Sequence, residues 1–406
     1  MSRLIHWLFL DLNSFFASCE QQENPALRGK PVGVVPLMAE TTCCLAASYE
    51  AKAHNVKTGT LVAEARARCP DIRFVIARHE VYTRYHHAIV KVVESCIPVD
   101  TVMSIDEMIC RLSGSQRELP NALQLAAQIK EKIRKEVGAC LTSSIGIAPN
   151  RFLAKVASDM QKPDGLTVLQ AEDIPQALFR LALRDLGGIG HQMELRLNER
   201  GIHSIRELCD LSREEMRELW GGINGERYYQ WLRGEEVELP PTQHRSLGHQ
   251  HVLEPEMRTP DGVWTVAKKL LAKAAVRLRK EGYYTRRISA HIKFIGQLYW
   301  EENVKLEATQ DTLKLLTTLR AIWPKIKKEK PFRVSIMFSD LLPHDQYQFP
   351  LFENPHREDL GTAMDKINSK FGKETVSLGS LYQFHQAAPT RIAFRRIPEL
   401  DEFEDE

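Results

Sequence analysis

Several features are missing from this 406-residue sequence, and each absence excludes a class of protein. The eight cysteines lack paired C-x-x-C spacing, which argues against zinc sites and disulfide frameworks and favours free thiols in a reducing cytosol. No apolar run reaches the roughly 20 residues that a membrane-spanning helix needs, and the first residues resemble a core strand rather than a signal peptide. We therefore expect a cytoplasmic protein with several domains and no membrane partner.

A large net charge is missing too, since the sum is only +2, but the distribution is uneven. Between His244 and Asp340 the chain carries 19 Lys and Arg residues against 10 Asp and Glu residues, an excess of 9. Part of this excess lies on a predicted helix over 261–281. A charged helix is usually a solvated face, whereas an excess over a whole region favours binding to a polyanion. Five of the last six residues are acidic, and this segment predicts a disordered tail.

The most informative residues present are two adjacent acids at the tip of a predicted β-hairpin. Asp106 and Glu107 lie between two runs rich in β-forming residues, 99–103 and 108–112. A third acid, Asp11, ends an apolar strand near the start of the chain. A lone Asp-Glu pair is more often a solvated turn. Three carboxylates at the ends of neighbouring strands instead predict a site for two divalent metals in phosphoryl or nucleotidyl transfer.

The elements predicted around these acids follow the order strand, helix, hairpin, helix, strand. That order is typical of a ferredoxin-like split βαβ unit and indicates the α+β class. Asn13 or Ser14 is expected to cap the first helix. Further helices are predicted over 45–54, 60–69, 80–96, 120–137 and 151–160. The histidines show no metal-ligand spacing, and His86 and His87 are expected on a solvated helix face.

From about residue 168 the pattern becomes helical, with glycine-rich turns at 186–190 and 221–225. Backbone N–H groups in such a turn, at Gly188 and Gly190 for example, can bind a phosphate. A single turn of this kind can equally be a helix C-cap. Two copies favour contact with the backbone of duplex DNA. Farther on, His249 and His251 alternate on a predicted strand and could share a DNA-facing side.

The motifs resemble those of the Y-family, or translesion, DNA polymerases over nearly the whole chain, and most closely the bacterial UmuC-like and DinB-like branch. Residues 11–17 (DLNSFFA) are similar to the first catalytic motif and residues 104–107 (SIDE) match the second. Residues 48–52 (SYEAK) resemble the fingers motif. Residues 150–157, with KPDG at 162–165, resemble the motif that closes the palm.

This resemblance implies a right-hand polymerase of the α+β class that copies DNA past damaged template bases with low fidelity, as in SOS mutagenesis. The short side chains at 41–47 would form a small roof above the templating base. Weak induced-fit closure of the small fingers would permit lesion bypass. The implied domains are a ferredoxin-like palm (1–25 and 76–167), small fingers (26–75), a helix-hairpin-helix thumb (168–238), a linker (239–243), a little finger (244–345) and a clamp-binding peptide with a C-terminal extension (346–406).

The resemblance also implies a metal site. Asp11, Asp106 and Glu107 would be the catalytic carboxylates and would bind two Mg²⁺ ions, with Mn²⁺ as a substitute. Glu107 would hold the metal near the primer 3′-OH, and the Leu12 carbonyl would complete the other site. Mg²⁺ prefers such oxygen ligands together with substrate phosphates.

For the incoming nucleotide, the resemblance assigns Tyr49, Lys52 and Lys162 to the triphosphate, together with the backbone N–H groups of Phe15 and Phe16. Phe16 would be the sugar gate that excludes a ribose 2′-OH. Adjacent helix residues point in different directions, so one of the two phenylalanines belongs to the core. Taken alone, Tyr49 could be a core aromatic and Lys162 a surface cation.

Three residues depart from the usual family pattern. Asn13 stands where many members have Asp, Lys52 where many have Arg, and Ala46 where some have a hydroxyl group. Lys lacks the two-pronged geometry of Arg, so a looser hold on phosphate is expected. The three metal-binding carboxylates are intact.

The implied partners are primer–template DNA, deoxynucleoside triphosphates, the bacterial β sliding clamp and accessory mutagenesis subunits. DNA contacts are expected from Gly188, Gly190, Lys268, Arg286 and Arg287. The sequence QFPLF at 348–352 resembles the Q-x-x-L-F peptide that binds the clamp, with Gln348, Leu351 and Phe352 as its anchors. Peptides this short also arise by chance. Residues 364–376 resemble the C-terminal extension of the UmuC-like branch.

Two other functions stay open on the sequence. One is a catalytically silent adaptor that uses the same fold and the clamp peptide to recruit partners, against which the intact carboxylates argue. The other is a different palm-fold enzyme, such as a nucleotide cyclase, against which the glycine turns and the basic region argue. Primer extension with Mg²⁺ separates a polymerase from both.

Overall fold

The computed structural model describes residues 5–240, 245–296, 298–324, 329–348, 356–372, 375–379, 391–392 and 397–403. The strands described are β1 (Trp7–Leu12), β2 (Val32–Val35), β3 (Ala46–Ala47), β4 (Arg73–Ile76), β5 (Val99–Val102), β6 (Glu107–Arg111), β7 (Ser143–Ala148), β8 (Leu166–Val168), β9 (Ser246–Val252), β10 (Tyr283–Phe294), β11 (Tyr299–Thr309) and β12 (Pro331–Pro343). The α-helices described are α1 (Phe15–Glu23), α2 (Tyr49–Lys52), α3 (Val62–Arg68), α4 (His79–Glu94), α5 (Leu119–Lys132), α6 (Arg151–Met160), α7 (His191–Glu199), α8 (Ile205–Asp210), α9 (Arg213–Trp220), α10 (Ile223–Trp231), α11 (Pro260–Lys280), α12 (Thr312–Ile322) and α13 (His356–Phe371).

The chain divides into two compact units, one of residues 1–239 with 391–401 and the other of residues 240–390 with 402–406. Both mix helices and sheets, so the α+β class is confirmed. Among the described helices, none combines the length and the apolar character that crossing a bilayer requires.

The first unit contains a five-stranded sheet in the order β5-β6-β1-β7-β8. Successive side chains of β1 face opposite sides of this sheet. Leu8 and Leu10 join a core that includes residues of α1, α4 and α5. Trp7 and Phe9 join a second core with residues of α6. The same alternation places Asp11 on the α6 side of the sheet, at the end of the strand.

A smaller three-stranded sheet, in the order β3-β2-β4, has a core of its own with residues of α2 and α3. The helix predicted over 45–54 is wrong at its start, because Ala46 and Ala47 pair with β2. Only Tyr49–Lys52 is helical there, and the Ser48 hydroxyl accepts a hydrogen bond from the Ala51 N–H at its N-terminus. The short helix ends the strand pairing and carries Tyr49 and Lys52 together.

The two glycine-rich turns differ in what precedes them. The first follows only a 3-10 turn, Leu183–Asp185, and not the expected helix, and it leads into α7. The second joins α9 directly to α10. Gly188 has a φ of 92°, which few other residues adopt. A Cβ atom on Gly225 would lie 1.9 Å from the Met216 carbonyl oxygen, so glycine is what allows α9 and α10 to pack this closely.

The second unit is an antiparallel sheet in the order β11-β10-β12-β9, with α11 and α12 packed on one face. Strand register places Arg287, Lys293, Lys305 and Arg333 on the opposite face. Glu301 lies on that face too, opposite His291, and these four cations leave positive charge in excess there. The two histidines of β9 pair with residues 334 and 336, whose side chains are in the core, so their expected DNA-facing position is wrong.

The basic row expected along α11 does not form one solvated surface. Lys269 is only 8% exposed. Arg279 Nε lies 2.6 Å from Asp365 Oδ2 of α13, and its side chain is 8% exposed. The helix uses these cations for packing within its own unit. The acidic tail also differs from the expectation in its described part, since Leu400–Glu402 forms a 3-10 turn and Phe403 is buried.

Candidate active site

Two of the predicted carboxylates are cross-strand neighbours. Asp11 of β1 pairs directly with Glu107 of β6, and both point to the α6 side of the sheet. Side chains in such a pair are about 5 Å apart at Cβ, and two like charges there are destabilising. Asp11 is only 6% exposed, which increases the cost. This arrangement therefore requires a cation between the two carboxylates.

The lysines of the following segment supply that cation. Lys155 of α6 lies 2.6 Å from Asp11 Oδ2 and 2.7 Å from Glu107 Oε1, so its ammonium bridges the pair. Lys162 lies 2.7 Å from Asp11 Oδ1, and both lysines also contact Asp159. Although burial opposes it, the surrounding carboxylates raise the pKa of Lys155, so the bridge stays charged at neutral pH.

Asp106, the third carboxylate, immediately precedes β6. Its backbone carbonyl accepts a 2.8 Å hydrogen bond from the Leu12 N–H, which fixes the hairpin tip against the end of β1. The Ser104 hydroxyl donates to Asp106 Oδ1 at 2.6 Å. Burial, together with the charges of Asp11 and Glu107, raises the pKa of Asp106 despite that hydrogen bond. A divalent cation at this position would reverse the shift.

Among the described residues, no three His, Cys, Asp or Glu side chains are arranged as a finished metal site. The Lys155 ammonium lies between two of the three carboxylates. The donor set nevertheless suits hard divalent cations, since it consists of oxygens gathered at the end of one sheet. The structure thus places Asp11 and Glu107 on one ammonium group, and the Leu12 N–H bond holds Asp106 beside the end of the same strand.

Asn13 does not cap α1, contrary to the expectation from the sequence, and has a different structural role. Its side-chain amide donates to Ser144 Oγ at 3.0 Å and accepts from the Asp164 N–H at 2.8 Å. It therefore ties β1 to β7 and to the turn that follows Lys162. An Asp at this position could not donate the first bond. Ser14 also makes no capping bond, and among the described residues its buried hydroxyl has no partner.

The residues assigned to the triphosphate lie close to one another. Lys52 Nζ is 4.3 Å from the centroid of the Tyr49 ring. Burial raises the pKa of Tyr49. The charge of Lys162 acts to lower this pKa, and the charge of Asp11 acts to raise it. Burial and the charge of Lys162 lower the pKa of Lys52. The ammonium groups of Lys52 and Lys162 are both partly desolvated, and a bound anion would stabilise their charged forms.

The two phenylalanines at the start of α1 differ in burial, and the partly exposed Phe16 also packs against the core that contains Phe15. Phe15 is 3% exposed and packs in the core. The Phe16 ring stacks on Tyr82 at a centroid distance of 4.2 Å and meets His79 edge-on at 6.1 Å. As the first residues of α1, both have backbone N–H groups without an acceptor inside the helix. Such N–H groups attract phosphate.

Sequence reasoning misses one residue of the site and misplaces another. Lys155 falls within the motif at 150–157, but its contact with Asp11 carries no signal in the sequence, because that contact depends on how α6 packs. His86 is not solvated: it is 3% exposed, and its Nδ1 lies 2.7 Å from the Ile105 carbonyl oxygen. Burial lowers the pKa of His86 to about 4, so it is neutral. It supports the loop that leads to Asp106.

The predicted DNA-binding residues are divided between the two units of the chain. Arg287 is on the open face of the second sheet, where it contacts Asp340 and Asn303, and Arg286 is exposed beside it. Lys268 is on α11, which covers the other face. Gly188 and Gly190 precede α7 in the first unit. Of the predicted clamp-binding residues, Gln348 is described, whereas Leu351 and Phe352 lie outside the described residues.

Known proteins match this chain over most of its length. A model of the impB/mucB/samB family matches residues 10–159, and a model of that family's C-terminal domain matches residues 244–351. The DNA polymerase IV of Moorella thermoacetica is 33% identical over 384 residues, which cover 91% of this chain and 94% of that protein. The DNA polymerase IV 1 of Bacillus subtilis is 30% identical over 421 residues and covers 100% of this chain and 98% of that protein.

Solved structures share the fold. A Y-family DNA polymerase chimera of Dbh and Dpo4 matches with a TM-score of 0.69 at 23% identity, over 83% of this chain and 99% of that one. The insertion ternary complex of Dbh DNA polymerase matches with a TM-score of 0.55 at 24% identity, over the same shares of the two chains.

Proposed function

Because this chain belongs to the impB/mucB/samB family of Y-family polymerases, it is a DNA-directed DNA polymerase of the translesion class, and we propose that Asp11, Asp106 and Glu107 hold its catalytic metals. The observation that carries the proposal is the cation bridge: Lys155 joins Asp11 and Glu107 at 2.6 and 2.7 Å. Two Mg²⁺ ions, or Mn²⁺ as a substitute, would bind these carboxylates and the Leu12 carbonyl in its place. When bound, they would activate the primer 3′-OH and stabilise the leaving phosphate.

The remaining residues of the site bind and position the nucleotide. Lys52 and Lys162 would place positive charge on the triphosphate where negative charge accumulates on the leaving group. Tyr49 and the first N–H groups of α1 would add hydrogen bonds to the same phosphates. The Ser14 hydroxyl, which has no partner among the described residues, adjoins these N–H groups and suits the same ligand. Phe16, held against Tyr82, would close the space that a ribose 2′-OH needs.

For primer–template DNA, we propose two separate contacts. The open face of the second sheet presents Arg287, Lys293, Lys305 and Arg333 and would bind phosphates of the duplex. The glycine-rich turn before α7 would bind another phosphate through backbone N–H groups, as in a helix-hairpin-helix. Lys268 is on α11, which covers the other face of the sheet, so this argument does not support a DNA contact for Lys268.

Further partners follow from the peptide at 348–352 and from the setting of the reaction. The peptide would bind the β sliding clamp through Gln348, Leu351 and Phe352, and accessory mutagenesis subunits of an SOS response would use other surfaces. Since the template is the chromosome, the protein would act in the cytoplasm, and all eight cysteines are free thiols, in keeping with a reducing compartment. The matched relatives are named as polymerases, so the silent adaptor gains no support.

A matched pair of variants tests the metal assignment. Asp106→Asn should abolish primer extension, because the amide loses the charge that binds the metal, while leaving DNA affinity nearly unchanged. Asp100→Asn makes the same chemical change in the neighbouring strand, where Asp100 pairs with Arg151, and should extend primers at close to the wild-type rate. Extension by Asp106→Asn at the rate of the control would contradict the assignment.

A further inference from the structure

The described residues of the C-terminal segment 391–401, which are 391–392 and 397–401, belong to the first unit of the chain. Ile392 and Ile397 both pack against the core formed by β1, α1, α4 and α5. Glu399 Oε2 lies 3.9 Å from His87 Nε2 on the same helix α4. The described part of the segment therefore follows α4 over about two turns, from His79 to His87.

At the start of α4 the segment contacts His79 directly. The Ile392 N–H donates to His79 Nδ1 at 3.4 Å. This bond defines the tautomer of the ring, because the accepting nitrogen carries no proton and the proton must then be on Nε2. Burial and the nearby charge of Arg391 lower the pKa of His79 to about 4, which keeps the ring neutral and able to accept.

The same imidazole touches the predicted sugar gate. His79 and Phe16 meet edge to face, with ring centroids 6.1 Å apart and an interplanar angle of 88°. The ring of Tyr82 stacks on Phe16, and its hydroxyl donates to the buried Glu20 at 2.8 Å, which fixes it firmly. Phe16 thus has two ring neighbours on α4: Tyr82, which Glu20 fixes, and His79, which the C-terminal segment contacts.

We propose that His79 is a positioning residue for sugar selection and that the C-terminal segment holds its ring against Phe16. This inference rests on the proposed role of Phe16 as the gate. The segment contributes no atom to the reaction. It narrows the positions that the Phe16 ring adopts and thereby increases the exclusion of ribonucleotides.

The kinetic test measures the ratio of kcat/KM for one ribonucleotide to that for its deoxy counterpart. His79→Ala should raise the ratio about two- to tenfold, the value of one edge-to-face aromatic contact, and leave deoxynucleotide incorporation within about twofold of wild type. His79→Phe keeps an aromatic ring that can meet Phe16 edge to face, so its ratio should be near that of the wild type. Ile392→Pro removes the N–H donor. As a single substitution it should raise the ratio, and combined with His79→Ala it should give no further increase.

A second measurement tests docking without reference to the gate. The full-length chain with Ile392→Ser and Ile397→Ser loses the apolar contacts of the segment, whereas the matched variant with Val at both positions keeps them. By NMR titration, the pKa of His79 should stay at about 4 in the Val variant and move towards its usual 6.5 in the Ser variant. An unchanged pKa in the Ser variant would overturn the docking.

The outcomes separate the inference from the proposal beneath it. If Phe16→Ala raises the ribonucleotide ratio but His79→Ala and Ile392→Pro do not, the gate stands and the inference is wrong. If Phe16→Ala leaves the ratio unchanged, the gate assignment itself fails, and with it the role in sugar selection given to His79.

Discussion

Replacing Lys155 with Met should make the protein less stable without metal and more responsive to Mg²⁺. The substitution keeps an unbranched side chain of similar length, which can still pack against Phe9, but it removes the charge between Asp11 and Glu107. Those carboxylates would then repel each other, and among the described residues Lys162 is the cation that would still offset the charge of Asp11.

The size of the effect follows from burial. Removing one partner of a fully buried ion pair costs about 3–5 kcal/mol. The Lys155 side chain is 29% exposed and Glu107 is 27% exposed, whereas Asp11 is 8% exposed. Solvent screening therefore reduces the expected loss to about 1–3 kcal/mol. Because the ammonium no longer competes for the carboxylates, Mg²⁺ should bind about tenfold more tightly for each 1.4 kcal/mol of that loss.

The assay is thermal unfolding of wild type and variant over a series of Mg²⁺ concentrations, with chelator as the zero point. Lys155→Met should unfold at a lower temperature in chelator and regain more stability from Mg²⁺ than wild type does. Lys135→Met is the matched control, since Lys135 pairs with Glu131 at 3.0 Å but is 68% exposed, and it should change neither quantity noticeably. Equal Mg²⁺ responses in Lys155→Met and wild type would refute this reasoning.

Three further results are expected. Phe16→Ala should raise ribonucleotide incorporation about 10–200-fold relative to deoxyribonucleotide, as measured by single-nucleotide insertion, because it opens the space for a 2′-OH; an unchanged ratio would move the gate elsewhere. Deleting 244–345 should weaken duplex binding and reduce the slope of log K against log salt by roughly 0.9 for each DNA phosphate that the deleted residues neutralise; an unchanged slope would mean that the basic excess serves solubility. Changing Gln348, Leu351 and Phe352 to Ala should abolish stimulation by a loaded β clamp but not unassisted extension; loss of both together would indicate that the peptide packs within its own unit.

The sheet and the carboxylates could be predicted because their signals are local. The strand that carries Asp11 is confirmed, and the β5–β6 hairpin is confirmed close to its predicted bounds, since runs of β-forming residues bracket a polar tip. The burial of one phenylalanine in the core is confirmed for Phe15, whereas Phe16 is only partly buried against the same core and its role as the gate stays a prediction. What the hairpin pattern could not give was the register that sets Asp11 directly opposite Glu107.

Other features depend on tertiary contacts. The prediction that His86 faces solvent is wrong, because His86 falls on the buried stripe of α4 formed by Tyr82, Ile89 and Val93, and that spacing could have located it. The motif at 150–157 includes Lys155 but does not give its contacts, since its partners Asp11 and Glu107 are distant in sequence. The same holds for Arg279, because its partner Asp365 is 86 residues away. Charges on a helix show neither which are buried nor which are paired until the packing is known.

Counting bound metal ions tests the central claim most directly. Electron paramagnetic resonance can titrate Mn²⁺ into a complex of the polymerase, primer–template DNA and a non-hydrolysable nucleotide analogue. The wild type should bind two Mn²⁺ ions per polymerase, and Asp11→Ala should lose both or keep only the ion carried by the triphosphate, because Asp11 would bridge the two sites. Two tightly bound ions in Asp11→Ala would contradict the assignment of the catalytic metals to these carboxylates.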